Sequence, residues 1–338
     1  MYKTFILFTL FVCELCTAAP SDQKAENEYL LQQAKYFLSS DPIQTLQILD
    51  ANLDLAQLTQ PQHILWHMIN TRASTNTNQL ARAGTSIEYL LSHPTRPFFL
   101  KKRVAILRMV GIWLRKSSYF KEAELTFQCA LKQPSSSVQR IGLTISSAII
   151  ARRQEHYRRA KTLYLEALDI AKKLDKKSAV ATITNNLGVL ALDNGNLEQA
   201  NAYFRLALAG HQLQGKKPGH INSGINLLFV FLLQKQFVNY QRLYEPIAQL
   251  VNDLPDKPKR IYLFWVNSTY KFEQGEKINQ ATKEQLISQF YQLESRGLKA
   301  LIKQHLASRL NLSVTLPAKV PNKVFTAPWF DTVKSCTW

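Results

Sequence analysis

Apolar side chains recur along this chain at the three- and four-residue intervals of a helix, and alternating, strand-like runs are sparse. Glu28 to Leu38 (EYLLQQAKYFL) is amphipathic on that period. Ser39-Ser-Asp41-Pro42 ends it and caps a second helix, Ile43 to Leu55. Pro61 to Arg72 and Asn78 to Leu91 read as another helical pair, and after Pro258 the stretches Arg260–Glu273 and Thr282–Leu310 add about three more helices. From Asn311 the pattern stops. Pro317, Pro321 and Pro328, interleaved with Val314, Val320 and Val324, predict an extended tail over 311–338 that carries Phe325, Trp329, Phe330 and Trp338. Exposed aromatics are costly, so docking of this tail on its own chain is preferred to a partner-binding tail.

Between these flanks the pattern repeats. Gly111 is followed after twelve residues by Ala123, then by Phe127 and Ala130. Gly188 is followed in the same register by Ala200, Phe204 and Ala207. A middle copy substitutes Ala148 for the glycine and continues with Ala160, Tyr164 and Ala167. Small residues at such spacing let two antiparallel helices cross closely, and the aromatic fills the gap towards the next pair. Asn194-Gly195-Asn196 supplies a turn between the helices of the best-matched copy.

This set of spacings resembles the tetratricopeptide-repeat (TPR) family. The resemblance frames repeats at 104–137, 141–174 and 181–214, and a degenerate one at 221–254 in which Tyr240 replaces the central alanine. It implies an all-α fold: an α-solenoid of antiparallel helix hairpins in a right-handed superhelix over 20–310, with atypical capping helices at its ends. The chain as a whole is similar to the extracytoplasmic TPR sensor regions of bacterial signalling proteins, including the Asp41-Pro42 hairpin near the start.

The first nineteen residues read as a cleaved signal peptide. Lys3 gives the positive start, Phe5 to Val12 the apolar run, and Thr17-Ala-Ala19 the small residues before the cut. Cys13 and Cys16 fall inside this removed segment, and neither follows the small residue that lipid attachment needs. No later stretch predicts a transmembrane helix: Ile221 to Leu233 comes nearest and is broken by Asn222 and Asn226. The expected location is therefore periplasmic or secreted. In such an oxidising compartment Cys129 and Cys336 can pair; the sequence gives more weight to Cys129 as a small apolar core thiol, since nothing local sets their separation.

Charge adds a partner class. With 42 Lys and Arg against 24 Asp and Glu the chain carries +18, a field that attracts anionic partners. Export argues against nucleic acid, leaving an acidic protein or peptide, or an anionic envelope component. Catalytic chemistry is sparse: no Gly-rich phosphate loop, GxSxG or HExxH is present. His63 and His67 share a helix face, but no nearby Asp or Glu completes a metal site. No enzyme activity, cofactor or metal is expected.

In the TPR family the first helix of each repeat lines a concave groove. Carried over by position, the groove residues are Arg108, Ile112, Arg115 and Lys116 in the first repeat. Ile145, Ile149, Arg152 and Arg153 follow in the second, Asn185, Asn186 and Val189 in the third, and Asn226 and Phe229 in the fourth. Asn amides can hold an extended peptide backbone, and Arg forks pair carboxylates. The resemblance thus implies a non-enzymatic scaffold for an acidic protein or peptide. A free-standing sensor module, or an envelope protein meeting anionic lipid or polymer, are the alternatives.

Overall fold

The computed structural model describes residues 20–51, 53, 55–253, 256–293, 295–318 and 325–338. The predicted signal peptide with Cys13 and Cys16 lies outside them, as do Val320, Pro321 and Val324 of the tail. The described residues are helical, with no strand among them, and divide into two compact units at Ser86–Ile87.

The first unit contains α1 (Pro20–Phe37), α2 (Pro42–Ala51), α3 (Gln60–Asn76) and the first residues of α4 (Leu80–Leu91). Asp41 caps α2 by accepting from the Gln44 amide at 3.0 Å. Leu31, Ala34, Leu46, Leu49, Ile69 and Ala73 form its core. A polar network, buried at His67, Asn70 and Ser86, runs from that core to the surface. Arg82 holds Asp50 through both terminal guanidinium nitrogens and donates its Nε–H to Asn70 at 2.7 Å; Asn70 donates to Ser86 at 2.7 Å, and Ser86 bonds the His67 ring at 3.1 Å. His67 is thus tied into this network, with His63 stacked beside it.

The second unit is the solenoid. Its hairpins pair α5 (Pro97–Lys116) with α6 (Phe120–Lys132), α7 (Ser137–Arg153) with α8 (Tyr157–Lys173), α9 (Lys177–Asp193) with α10 (Leu197–Leu213) and α11 (Lys217–Leu233) with α12 (Phe237–Asn252); α13 (Lys257–Glu273) and α14 (Gln280–Gln292) follow. From α7 to α13 a helix starts every twenty residues. The repeat is therefore about 40 residues, against roughly 34 for an ordinary TPR. Each hairpin begins earlier than the frames at 104, 141, 181 and 221. The basic stretches that read as connectors, Asp175-Lys-Lys177 and Gly215-Lys-Lys-Pro218, are a three-residue turn followed by the first residues of a helix.

The same turn recurs. Its central residue takes a left-handed conformation: Ser118, Glu155, Asp175, Gly195, Gly215, Lys235 and Gly275 all have positive φ. The next amide bonds back five residues, as His156 does to Ala151 at 2.8 Å and Asn196 to Ala191 at 2.9 Å. This satisfies carbonyls that the helix end leaves open.

Within each hairpin the helices cross at the small residues. Ala123, Ala130, Ala160, Ala167, Ala200, Ala207 and Ala148 are fully buried, with Phe127, Tyr164 and Phe204 between them. A Cβ at Gly111 would stand 2.4 Å from the Phe127 ring, and one at Gly188 would stand 2.6 Å from Phe204. In the fourth hairpin the close approach moves one turn: Gly224 sits against Ile247, and Tyr240, in place of the central alanine, stacks on Tyr270 at 4.1 Å.

The C-terminal segment completes this core. Helix α15 (Arg296–Ile302) runs into a π-helical turn over Lys303–Ala307, and Ile302, Leu306, Leu310 and Val314 pack with Phe229, Trp265 and Phe290. The tail is not wholly extended: Phe330–Ser335 forms a short helix, α16, lying on α6. Phe330 and Val333 are buried there, Phe325 meets Trp113 and Tyr119, and Trp338 meets Phe99 at 5.5 Å. Cys336 is bonded to Cys129. Cys129 is thus a buried disulfide partner and not a free core thiol; α16 brings together two residues 207 apart in sequence, a separation no local pattern encodes.

Candidate functional site

The first helices of successive hairpins touch one another, α5 to α7, α7 to α9, α9 to α11 and α11 to α13, while successive second helices lie further apart. A layer built this way curves with its first helices inside. The inner face is where the repeat frame places its recognition residues.

Along α5, Arg108 is exposed and lies over Gly142 of α7, where a Cβ would meet its Nε at 2.9 Å. Ile112 is half-buried and Lys116 exposed. Trp113, beside Ile112, carries the Phe325 ring of the tail at 5.9 Å. On α7, Ile145 and Ile149 are half-buried against the core around Ala148, Tyr164 and Leu187, leaving apolar edges on the inner face.

On α9, Asn185 and Asn186 differ. Asn185 accepts from Ser223 at 3.1 Å and from Asn226 at 3.4 Å, so it and Asn226 bridge α9 to α11. Asn186 is half-buried and makes no side-chain hydrogen bond to a described residue, which leaves its amide for a ligand. Val189 is half-buried against the α11–α13 core. Phe229 is not on a surface at all. It is fully buried, 6.1 Å from Tyr262 and 5.8 Å from His305, because the π-helical turn covers that stretch of α11. A repeat frame contains no information about a C-terminal segment that returns over it.

The ends of α5 and α7 concentrate charge. Arg115, Arg152 and Arg153 lie within electrostatic reach of one another, and Tyr164 of α8 faces them. Burial, then Arg153 and Arg152, lower Arg115 to about 10, and burial and Arg152 lower Arg153 as well. Burial pushes Tyr164 up to about 12, against the pull of Arg152. Asp193 at the end of α9 pairs with Arg152 at 2.7 Å. Asp193 lies beyond the groove positions that the repeat frame gives for the third repeat, which end at Val189, although it occupies on α9 the place that Arg153 occupies on α7.

The description "Tetratricopeptide repeat" fits residues 143–212, which hold α8, α9 and most of α7 and α10. Among solved structures, the Rap conjugation gene regulator of plasmid pLS20, in complex with the Phr* peptide, superposes with a TM-score of 0.60 at 14% identity, covering 83% of this chain and 87% of that one. Residues 143–212 are thus tetratricopeptide repeats, set in a longer helical-repeat fold. Aspartyl phosphate phosphatase F from Bacillus subtilis is similar to this chain with a TM-score of 0.57 at 9% identity, over 90% of this chain and 94% of that one. The apo form of RapI gives 0.51 at 13% identity, over 84% and 91%. At these identities the likeness shows the helical-repeat fold alone. No curated protein sequence matches this chain. Among its described residues no helix is long and apolar enough to cross a membrane.

Proposed function

We propose that this TPR protein is a non-catalytic, exported scaffold whose inner helical face binds a protein or peptide of acidic character. The observation that carries the reading is the composition of that face. Apolar edges at Ile112, Ile145 and Ile149 alternate with the unengaged amide of Asn186 and with a guanidinium cluster that outnumbers its carboxylates. Apolar anchors give affinity, an amide fixes backbone, and uncompensated arginines select acidic groups. The pLS20 regulator, of the same fold, was solved with a peptide bound. Export is supported by the Cys129–Cys336 disulfide, a bond that persists in oxidising compartments.

Selection of a random peptide library on the full chain tests this. Enriched peptides are expected to carry Asp or Glu beside apolar residues, and to bind Asn186→Ala and Ile149→Ala at least about tenfold more weakly. Leu206→Ala, on the outer helix α10 where that side chain is 66% exposed, leaves binding unchanged. Enrichment insensitive to the inner-face changes contradicts the reading. The net charge of +18 favours a second reading, adhesion to anionic lipid or polymer. Vesicle binding that disappears in moderate salt, with no peptide enriched, selects it.

A further inference from the structure

Among the described residues, Arg115 buries an Nε–H with no acceptor, and Tyr164 buries a hydroxyl whose oxygen faces Arg152 and whose proton has no acceptor. Both groups can donate. A buried donor left unmade is costly, and these two, beside the guanidiniums of Arg152 and Arg153, call for an acceptor. The protein supplies little. Asp193 is engaged by Arg152 and also acts on Arg153, and among the described residues no carboxylate opposes the burial and the like charges acting on Arg115. Arg153 keeps part of its surface in solvent and so remains reachable. On its other side, a Cβ at Gly297 of α15 would stand 2.6 Å from Arg153 Nη1. Any larger residue there would press on the guanidinium; glycine lets α15 form a wall beside it. Donors without acceptors and three cations that share one carboxylate therefore meet at one place, bordered by α5, α7, α8, α9 and α15.

We propose that this cluster is an oxyanion pocket, which takes a carboxylate or phosphate group carried by the occupant of the groove. Arg115 and Arg153 present their forks to the anion, the Tyr164 hydroxyl donates to it, and Asp193 holds Arg152 in place at its edge. Planar guanidiniums match the paired oxygens of such groups, and partial burial strengthens each bond. The identity of the occupant rests on the groove reading above; the chemistry of the pocket does not.

The test titrates the full chain with succinate and, separately, inorganic phosphate, at ionic strength held constant with chloride, and follows heat or amide shifts. Binding of succinate alone assigns a carboxylate, of phosphate alone a phosphoryl group, and of both a general oxyanion site. Arg153→Gln and Arg115→Met are expected to weaken binding about tenfold or more. Asp193→Asn, which frees Arg152, strengthens it. Arg158→Gln, an exposed cation at the start of α8, has no effect. Circular dichroism identifies any variant that fails to fold, and Arg153→Gln then decides, since its side chain is partly in solvent. Binding of neither anion above chloride, or equal losses in Arg153→Gln and Arg158→Gln, overturns the pocket. Failure of the groove reads differently: anions still bind and respond to Arg153→Gln, while peptide capture ignores Asn186→Ala.

Discussion

Replacing Gly188 with alanine tests the packing that defines the repeat. The new methyl would stand 2.6 Å from Phe204 Cε1 and 2.7 Å from Cδ1, against roughly 3.5–4.0 Å for carbons in ordinary contact. Phe204 is fully buried, so its ring cannot swing into solvent. Either the ring leaves its rotamer or α9 and α10 separate by close to an ångström. Overpacking of this kind costs about 1–3 kcal/mol. Alanine returns about 1 kcal/mol over glycine in a helix interior. The expected net effect is a loss of up to about 2 kcal/mol, read by urea denaturation followed at 222 nm. Shrinking the ring identifies the cause: in the Gly188→Ala background, Phe204→Leu should cost less than it does alone, with a coupling of about 1 kcal/mol or more. Gly188→Ala that stabilises the protein by the full helix-propensity gain would refute the close crossing.

Three further expectations follow from single features. Reducing Cys129–Cys336, or making Cys336→Ser, frees a chain end that closes a loop of 207 residues; a loss of about 2–4 kcal/mol is expected in thermal melts with and without a dithiol, and an unchanged melt would mean the tail is held by its aromatics alone. His67 is lowered from 6.5 to about 4, chiefly by burial and then by His63. The folded first unit therefore resists protonation that the unfolded chain accepts. Its stability is full above pH 6.5 and declines as pH falls towards 4, by up to roughly 3 kcal/mol; His67→Gln should flatten a pH series of urea midpoints between those values, and an unaltered slope would exclude His67 as its source. Lys235 holds the left-handed turn position, at φ 54°, that Gly195, Gly215 and Gly275 hold elsewhere, so Lys235→Gly should stabilise by about 0.5–1 kcal/mol, with no change or a loss counting against strain at that turn.

What the sequence disclosed and what it concealed divide along physical lines. Helix crossings are encoded locally, since only small residues at Gly111, Ala148, Gly188 and the central alanines let two backbones meet, and an aromatic must fill the remaining space. That code was readable as a TPR pattern and carried the all-α solenoid with it. The length of the repeat was less readable. A left-handed residue such as Asp175 or Lys235 carries no mark distinguishing it from a linker, so the last turn of one helix and the first of the next looked like connector. Contacts made across long separations were not readable at all. Cys336 reaches Cys129 only through α16, and Phe229 loses its surface only because residues 303–307 return over α11. The candidate groove shows both cases: Ile149 and Asn186 follow from position in the repeat, while Tyr164, Asp193 and Gly297 enter the arginine cluster from three other helices.

On the function proposed above, the inner helical face is where this chain meets its partner. The most direct test places a photo-crosslinking side chain at Ile149 on α7 in one protein and at Leu206 on the outer helix α10 in another, each irradiated with the peptide that selection enriches. A crosslink is expected from Ile149, abolished by excess unlabelled peptide, and none from Leu206. Crosslinking from Leu206, or equal yields from both, would place recognition elsewhere and leave the groove as architecture.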